Sequence, residues 1–213
     1  MLLFFDNNEE SIDMVAIPIK MFGRLNNYHI LQGKFERERV IDLKEEPNNP
    51  QLSASSAFFK HNLFPKFKFA EDMVTSEDSI MINKILLEKQ KYGVINSATY
   101  YYRKRFDSSS TIDNSINKKE FYTEKLQNYF MALQEYSYAK FNEIPLFIQY
   151  LIAYDIQWII KDPKLDILND YEKDEFLNNL KLVVSRIDES VVLDNEFITN
   201  DAFRSFFLYL IAG

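Results

Sequence analysis

Apolar positions are spaced differently in the two halves of this chain. The first half carries short apolar runs of strand length, at Met14 to Ile19, Tyr28 to Phe35, Arg39 to Leu43 and Val94 to Arg105. Pro18 puts the first of these at a sheet edge or a strand end, because proline brings no ladder donor. Leu2 to Glu10 reads as the end of a helix broken at Asn7-Asn8, and Glu45 to Pro50 carries a loop signal. One helical pattern stands among the strands. Ile82, Ile85 and Leu86, with Met81 and Leu87 at the margins, predict a helix from about Ser76 to Lys91. Thr75-Ser76-Glu77-Asp78 has the spacing of a capping box, Lys89 and Lys91 suit the last turn, and Gly93 suits the C′ position.

From Asn117 the rhythm is helical throughout. Phe121, Leu126, Tyr129, Phe130, Leu133, Tyr136 and Tyr138 mark a helix within Glu120 to Phe141. Pro145 is placed to open another, running to about Lys161. A third spans about Tyr171 to Ile187, with Phe176, Leu180 and Val183-Val184 on its apolar side. Thr199-Asn-Asp opens the last, which ends on Phe206 to Ile211. The pattern therefore predicts an α+β chain, with residues 1–115 as a mixed α/β part and 116–213 as a helical extension. The Ile144–Ile160 helix is apolar nearly all round and has to be covered on most sides. The extension is accordingly expected to pack on the first part instead of standing alone.

Composition narrows the classes. An apolar share of 46% with 27% charged residues is that of a globular chain. Only 4 glycines occur, and neither a Walker nor a dinucleotide fingerprint is present. The absence of cysteine removes disulfides and thiolate metal sites, and a net charge of −7 argues against nucleic acid as a partner. The longest apolar stretch contains Gln149, Asp155 and Gln157, which are costly in hydrocarbon, so it reads as a buried helix and not a membrane span. A cytoplasmic protein, at most peripheral at the inner face of the membrane, is the expectation.

Chemistry concentrates between Phe67 and Ser110. Glu77-Asp78 begins the helix, and about 25 residues later come Arg103, Arg105 and the hydroxyls of Ser108, Ser109 and Ser110. An acid facing a basic loop is a way to activate a hydroxyl beside an anionic leaving group. A helix cap explains the same acids, and spacing alone favours it. Arg103 and Arg105 would share one strand face and suit a diphosphate, or form a solvated strand end. Ser55 and Ser56 could meet sugar hydroxyls or cap an ordinary turn. His29 and His61 stand alone and make no metal site.

Phe69 to Asp78, the helix, and Tyr100-Tyr-Tyr-Arg-Lys-Arg-Phe-Asp-Ser-Ser resemble the acceptor-side half of a family-2 inverting glycosyltransferase of GT-A type. The likeness covers roughly Ile12 to Leu210 and points to enzymes of capsule, teichoic-acid and surface-polysaccharide synthesis in Gram-positive bacteria. It implies Asp78 as general base with Glu77 beside it. It also implies Arg103, Arg105 and Ser108 to Ser110 at the donor diphosphate, and Ser55 and Ser56 in the sugar pocket. The family's nucleotide-binding half, with its Asp-x-Asp metal motif, has no counterpart before Asp78. No cofactor is therefore expected on this chain, and Mg or Mn only with that other half. The implied partners are a nucleotide-sugar, a glycan acceptor, and either the nucleotide-binding half or a second copy of the chain. The chain is expected to be inactive alone. The alternatives are a non-catalytic glycan- or protein-binding module of the same fold, and an unrelated α+β protein whose acids form a cap.

Overall fold

The structure is a computed structural model. It describes every residue except 71, 72, 74, 108, 109, 199 and 213, and of residues 111 and 112 the backbone only. The chain divides into two compact units, Met1–Glu71 with Glu77–Ser110, and Asp72–Ser76 with Thr111–Gly213.

The first unit opens with α1 (Leu2–Asn7), closed by Asn8, whose side-chain amide donates to the Phe4 carbonyl at 2.8 Å. Phe4 and Phe5 pack on a core of Ile12, Val15, Ile17 and Ile95. Then follow β1 (Met14–Ala16), β2 (Ile19–Gly23), β3 (Arg39–Asp42), β4 (Ala57–Phe59), α2 (Glu77–Lys89), β5 (Lys91–Val94) and β6 (Tyr100–Lys104). A four-stranded sheet has the order β3-β5-β1-β4, and β2 pairs with β6 in a second, two-stranded sheet. β1 runs parallel to β5 and antiparallel to β4, while β3 is antiparallel to β5. A parallel pair needs a long crossover, and α2 lies within it. All three residues of β1 are fully buried, as an interior strand covered on both faces requires.

Three sequence expectations change here. Tyr28 to Phe35 is no strand: Tyr28 makes one isolated bridge to Lys20, and Ile30–Phe35 is a 3₁₀ turn. Val94 to Arg105 is split between β5 and β6, which belong to different sheets. Gly93 does not end α2. The left-handed residue there is Gln90, at φ 53°, and Gly93 lies inside β5. Glycine is needed at that place because a Cβ would come within 2.5 Å of the Phe4 ring and 3.0 Å of Val15.

The second unit contains α3 (Thr111–Ser115), α4 (Glu120–Lys125), α5 (Ala132–Phe141), α6 (Leu146–Ile160), α7 (Asp170–Val184), α8 (Glu189–Asp194) and α9 (Asp201–Ala212). A π-helical turn, Leu126–Met131, joins α4 to α5, so the helix expected over Glu120 to Phe141 holds with a bulge in its middle. Asn142, at φ 58°, ends it. Tyr138, read from its spacing as core, is 56% exposed. α7 begins with a full capping box in which the Asn169 side chain accepts from Glu172 N–H and Glu172 accepts from Asn169 N–H. Phe147, Leu151, Ile156, Phe176, Leu180 and Val183 are buried at the core of these helices. The Arg204 guanidinium donates to the carbonyls of Val192 and Ile198, at 2.6 and 2.8 Å, tying α9 to the end of α8. No helix among the described residues is long and apolar enough to cross a membrane.

Candidate active site

Asp78 stands in the first turn of α2, half-buried. Its Oδ2 accepts a hydrogen bond of 3.0 Å from the backbone N–H of Ala54, 24 residues earlier. The capping-box reading does not describe this end. Ser76 has φ 73°, outside the extended range that an N-cap residue adopts. The carboxylate reaches instead to a 3₁₀ turn, Ala54–Ser56, that leads into β4.

That turn is set by buried polar groups. Gln51 donates through Nε2 to the Ser53 carbonyl at 3.0 Å and to Ser56 Oγ at 3.2 Å. Its Oε1 accepts from Lys34 Nζ at 2.8 Å, and the same ammonium donates to the Pro50 carbonyl. Asn83, fully buried on α2, donates to the Gln51 carbonyl at 3.1 Å and to the Ser79 carbonyl at 2.8 Å. Tyr92 on β5 donates its hydroxyl to the Asn49 carbonyl at 2.8 Å. Residues 49–56 are thus held from three directions, and the Ala54 N–H is aimed at Asp78 as a result. Ser55 is exposed, with its Oγ 2.7 Å from Ser53 Oγ, whereas the Ser56 hydroxyl is buried and occupied within the turn.

The electrostatics make Asp78 a stronger base than an ordinary aspartate. Burial pushes its carboxyl above the usual range, the Ala54 N–H opposes this, and the neighbouring Glu77 charge adds to it. Burial pulls the Lys34 amine down to about 7. It also draws His29 down to about 4, with the Lys34 charge contributing. His29 uses Nδ1 to accept from the Leu31 N–H at 3.3 Å, which leaves it a local structural part.

The described contacts join Asp78 to the Ser53–Ser56 turn. They do not join it to Arg103, which stands exposed on β6, with Arg105 exposed just past the strand. Ser110 follows in a bend, and Ser108 and Ser109 lie outside the described residues. Among the described residues no three His, Cys, Asp or Glu side chains converge as a metal site would require. Lys34, Gln51 and Asn83 escaped the sequence reading. Lys34 sits in the charged run Lys34-Phe-Glu-Arg-Glu-Arg, which looks solvated, and nothing local marks the two amides as buried.

In its fold this chain matches the TarS protein of S. aureus. It superimposes on the crystal structure of TarS 1-349 in complex with UDP-GlcNAc with a TM-score of 0.61, at 14% identity, covering 99% of this chain and 58% of that one. A second TarS crystal structure gives 0.52 at 15% identity, over 99% of this chain and 34% of the other. The architecture is therefore α+β, a GT-A-like part followed by a helical extension. In sequence the chain is 32% identical over 210 residues to the minor teichoic acid biosynthesis protein GgaB of Bacillus subtilis, covering 98% of this chain and 23% of GgaB. It is 26% identical over 195 residues to GgaA of the same organism, covering 89% of this chain and 44% of GgaA. No family model matches. The resemblance first read from Phe69 to Asp78 and Tyr100 to Ser110 holds to this extent: the chain is similar in sequence to two teichoic acid biosynthesis proteins and in fold to TarS. It spans less than a quarter of the length of GgaB and less than half of that of GgaA.

Proposed function

We propose that this chain is the acceptor-side portion of an inverting glycosyltransferase that moves a sugar from a nucleotide-sugar to a surface-polysaccharide acceptor. The observation that carries the reading is the half-buried Asp78 carboxylate, raised in basicity and aimed by the Ala54 N–H. Asp78 takes the proton of an acceptor hydroxyl as that oxygen attacks the anomeric carbon. The bond from that carbon to the diphosphate oxygen breaks, the nucleoside diphosphate leaves with the electron pair, and configuration inverts. Arg103, Arg105 and the hydroxyls of Ser108 to Ser110 are assigned to the leaving charge by the family likeness. Ser55 is assigned to a sugar hydroxyl by the same likeness, a reading that its exposure on the turn beside Asp78 supports. The TarS complex with UDP-GlcNAc supports a nucleotide-sugar as the donor class, which suits a cytoplasmic protein at the inner face of the membrane. A divalent ion, where the reaction uses one, would be held by residues outside those described here.

In an enzyme completed with a nucleotide-sugar-binding half, Asp78→Asn should lower turnover by about 10² to 10⁴, the scale of a positioned base. The fold should be retained, because the Asn carbonyl oxygen can still accept from Ala54. The rate should fall on the acid side at a pH above the ordinary carboxylate range, and that limb should vanish in the variant. Unchanged turnover in Asp78→Asn would make Asp78 structural. Incubating the 213-residue chain by itself with nucleotide-sugars and glycan acceptors should give no product above background. Turnover in that experiment would show the chain to be a sufficient catalyst.

A further inference from the structure

We propose that the second unit carries a saccharide-binding cleft of its own, in which a neutral sugar ring stacks on Tyr138. A cleft of about 830 Å³ lies between the end of α5, the turn to α6, and the link from α7 to α8. That volume is within the roughly 300–1,000 Å³ of small-molecule sites. The backbone makes the opening: Asn142, left-handed, turns the chain sharply, and Pro145 starts α6 on the far side.

The walls are rigid. Gln149 donates to the Ile144 carbonyl at 2.8 Å and to Asp188 Oδ2 at 3.3 Å, and accepts from the Asp188 N–H at 2.7 Å. The turn and the α7–α8 link are thereby fixed to one amide. Gln134, 1% exposed, also lines the cleft. Its Nε2 is held by the Val183 carbonyl at 2.9 Å, which settles the orientation of the amide. Its Oε1 is left with no partner among the described residues, an unspent acceptor of the kind that calls for an explanation.

The chemistry of the lining selects the ligand. Glu135, Glu143 and Asp188 supply carboxylate acceptors, and Arg186 supplies a forked donor. Glu135, Glu143 and Arg186 have no ion-pair partner among the described residues, so their hydrogen-bonding capacity is open. Three carboxylates against one guanidinium disfavour an anion such as a phosphate. Charged groups of both signs disfavour a purely apolar ligand, since desolvating them without partners is costly. A polyhydroxyl ligand answers both, because each hydroxyl donates to carboxylate and accepts from guanidinium. The exposed Tyr138 ring adds a flat apolar platform with a polar edge, suited to the C–H face of a pyranose.

The inference stands apart from the assignment of Asp78, and the test separates them. The whole 213-residue chain is titrated calorimetrically with N-acetylglucosamine, methyl β-glucopyranoside and sn-glycerol 3-phosphate. At least one of the two neutral sugars should bind in the millimolar range, and glycerol 3-phosphate should bind at least about tenfold more weakly, a difference readily resolved as a ratio of Kd. Tyr138→Ala and, separately, Glu143→Gln should each raise the sugar Kd, the first by about tenfold or more. Both side chains are exposed, so circular dichroism should confirm that both variants remain folded. Asp78→Asn should leave the sugar affinity unchanged. No sugar binding by the folded chain overturns the inference, as does binding that both cleft variants leave intact. Sugar binding lost in Asp78→Asn but kept in the cleft variants also overturns it, while favouring the proposed active site.

Discussion

Each of the two units buries a lysine, and the two are buried in different company. Lys125, in the second unit, faces the carboxylate of Asp155 at 3.4 Å and lies over the rings of Phe121, Tyr129 and Phe130. Lys34, in the first, is equally buried but meets a carbonyl, an amide oxygen and the rings of Phe35 and Tyr92, with no carboxylate in its described contacts. The first arrangement compensates a charge. The second leaves charge uncompensated, and burial then lowers the amine to about 7. A buried lysine that is allowed to be neutral still donates hydrogen bonds, so Lys34 can hold the 49–56 segment in either protonation state. The comparison separates a lysine that neutralises a core acid from one that shapes the turn beside Asp78.

The largest effect is expected where one member of the charge pair is removed. Lys125→Met leaves Asp155 buried without its partner, and should destabilise by about 3–5 kcal/mol in chemical denaturation. A loss near zero would mean that Asp155 finds another partner and that the pairing carries no weight. Lys34→Met should cost less, about 1–3 kcal/mol, because it strands only neutral acceptors, the Pro50 carbonyl and Gln51 Oε1. If Lys34→Met proves the more damaging of the two, the ranking of charged above neutral partners is broken.

The dependence on pH is the most diagnostic test. With a folded-state pKa of about 7 against the ordinary 10.5, Lys34 sheds its proton in the folded chain before it does in the unfolded one. Between those two values the unfolded chain binds more protons, so stability should rise with pH through this window and be flat below it. Melting temperature measured from pH 6 to 10 should show this rise in the parent and lose it in Lys34→Met. A rise that survives the substitution would assign it to another group.

Much of the helical architecture is legible in the sequence. Ile82, Ile85 and Leu86 mark the buried face of α2, Phe176, Leu180 and Val183 mark that of α7, and the apolar run after Pro145 is α6. Periodicity works there because a helix repeats its environment every few residues, so burial is written into local spacing. The acid at the start of α2 is legible for the same reason. What that acid touches is not. The bond from Ala54 to Asp78, the Lys34–Gln51 contact across 17 residues and the Asn83–Gln51 contact across 32 join residues with no common period. Gly93 looked like a helix stop, and only the side chains of Phe4 and Val15 pressing on it reveal a strand. The Val94–Arg105 run looked like one strand, and only the pairing of its ends with β1 and β2 divides it between two sheets. Local spacing determined which segments are helical and which acid begins α2. Tertiary contact alone decided how that acid is held and how basic it is, because desolvation and hydrogen bonding depend on neighbours that the chain brings together only by folding.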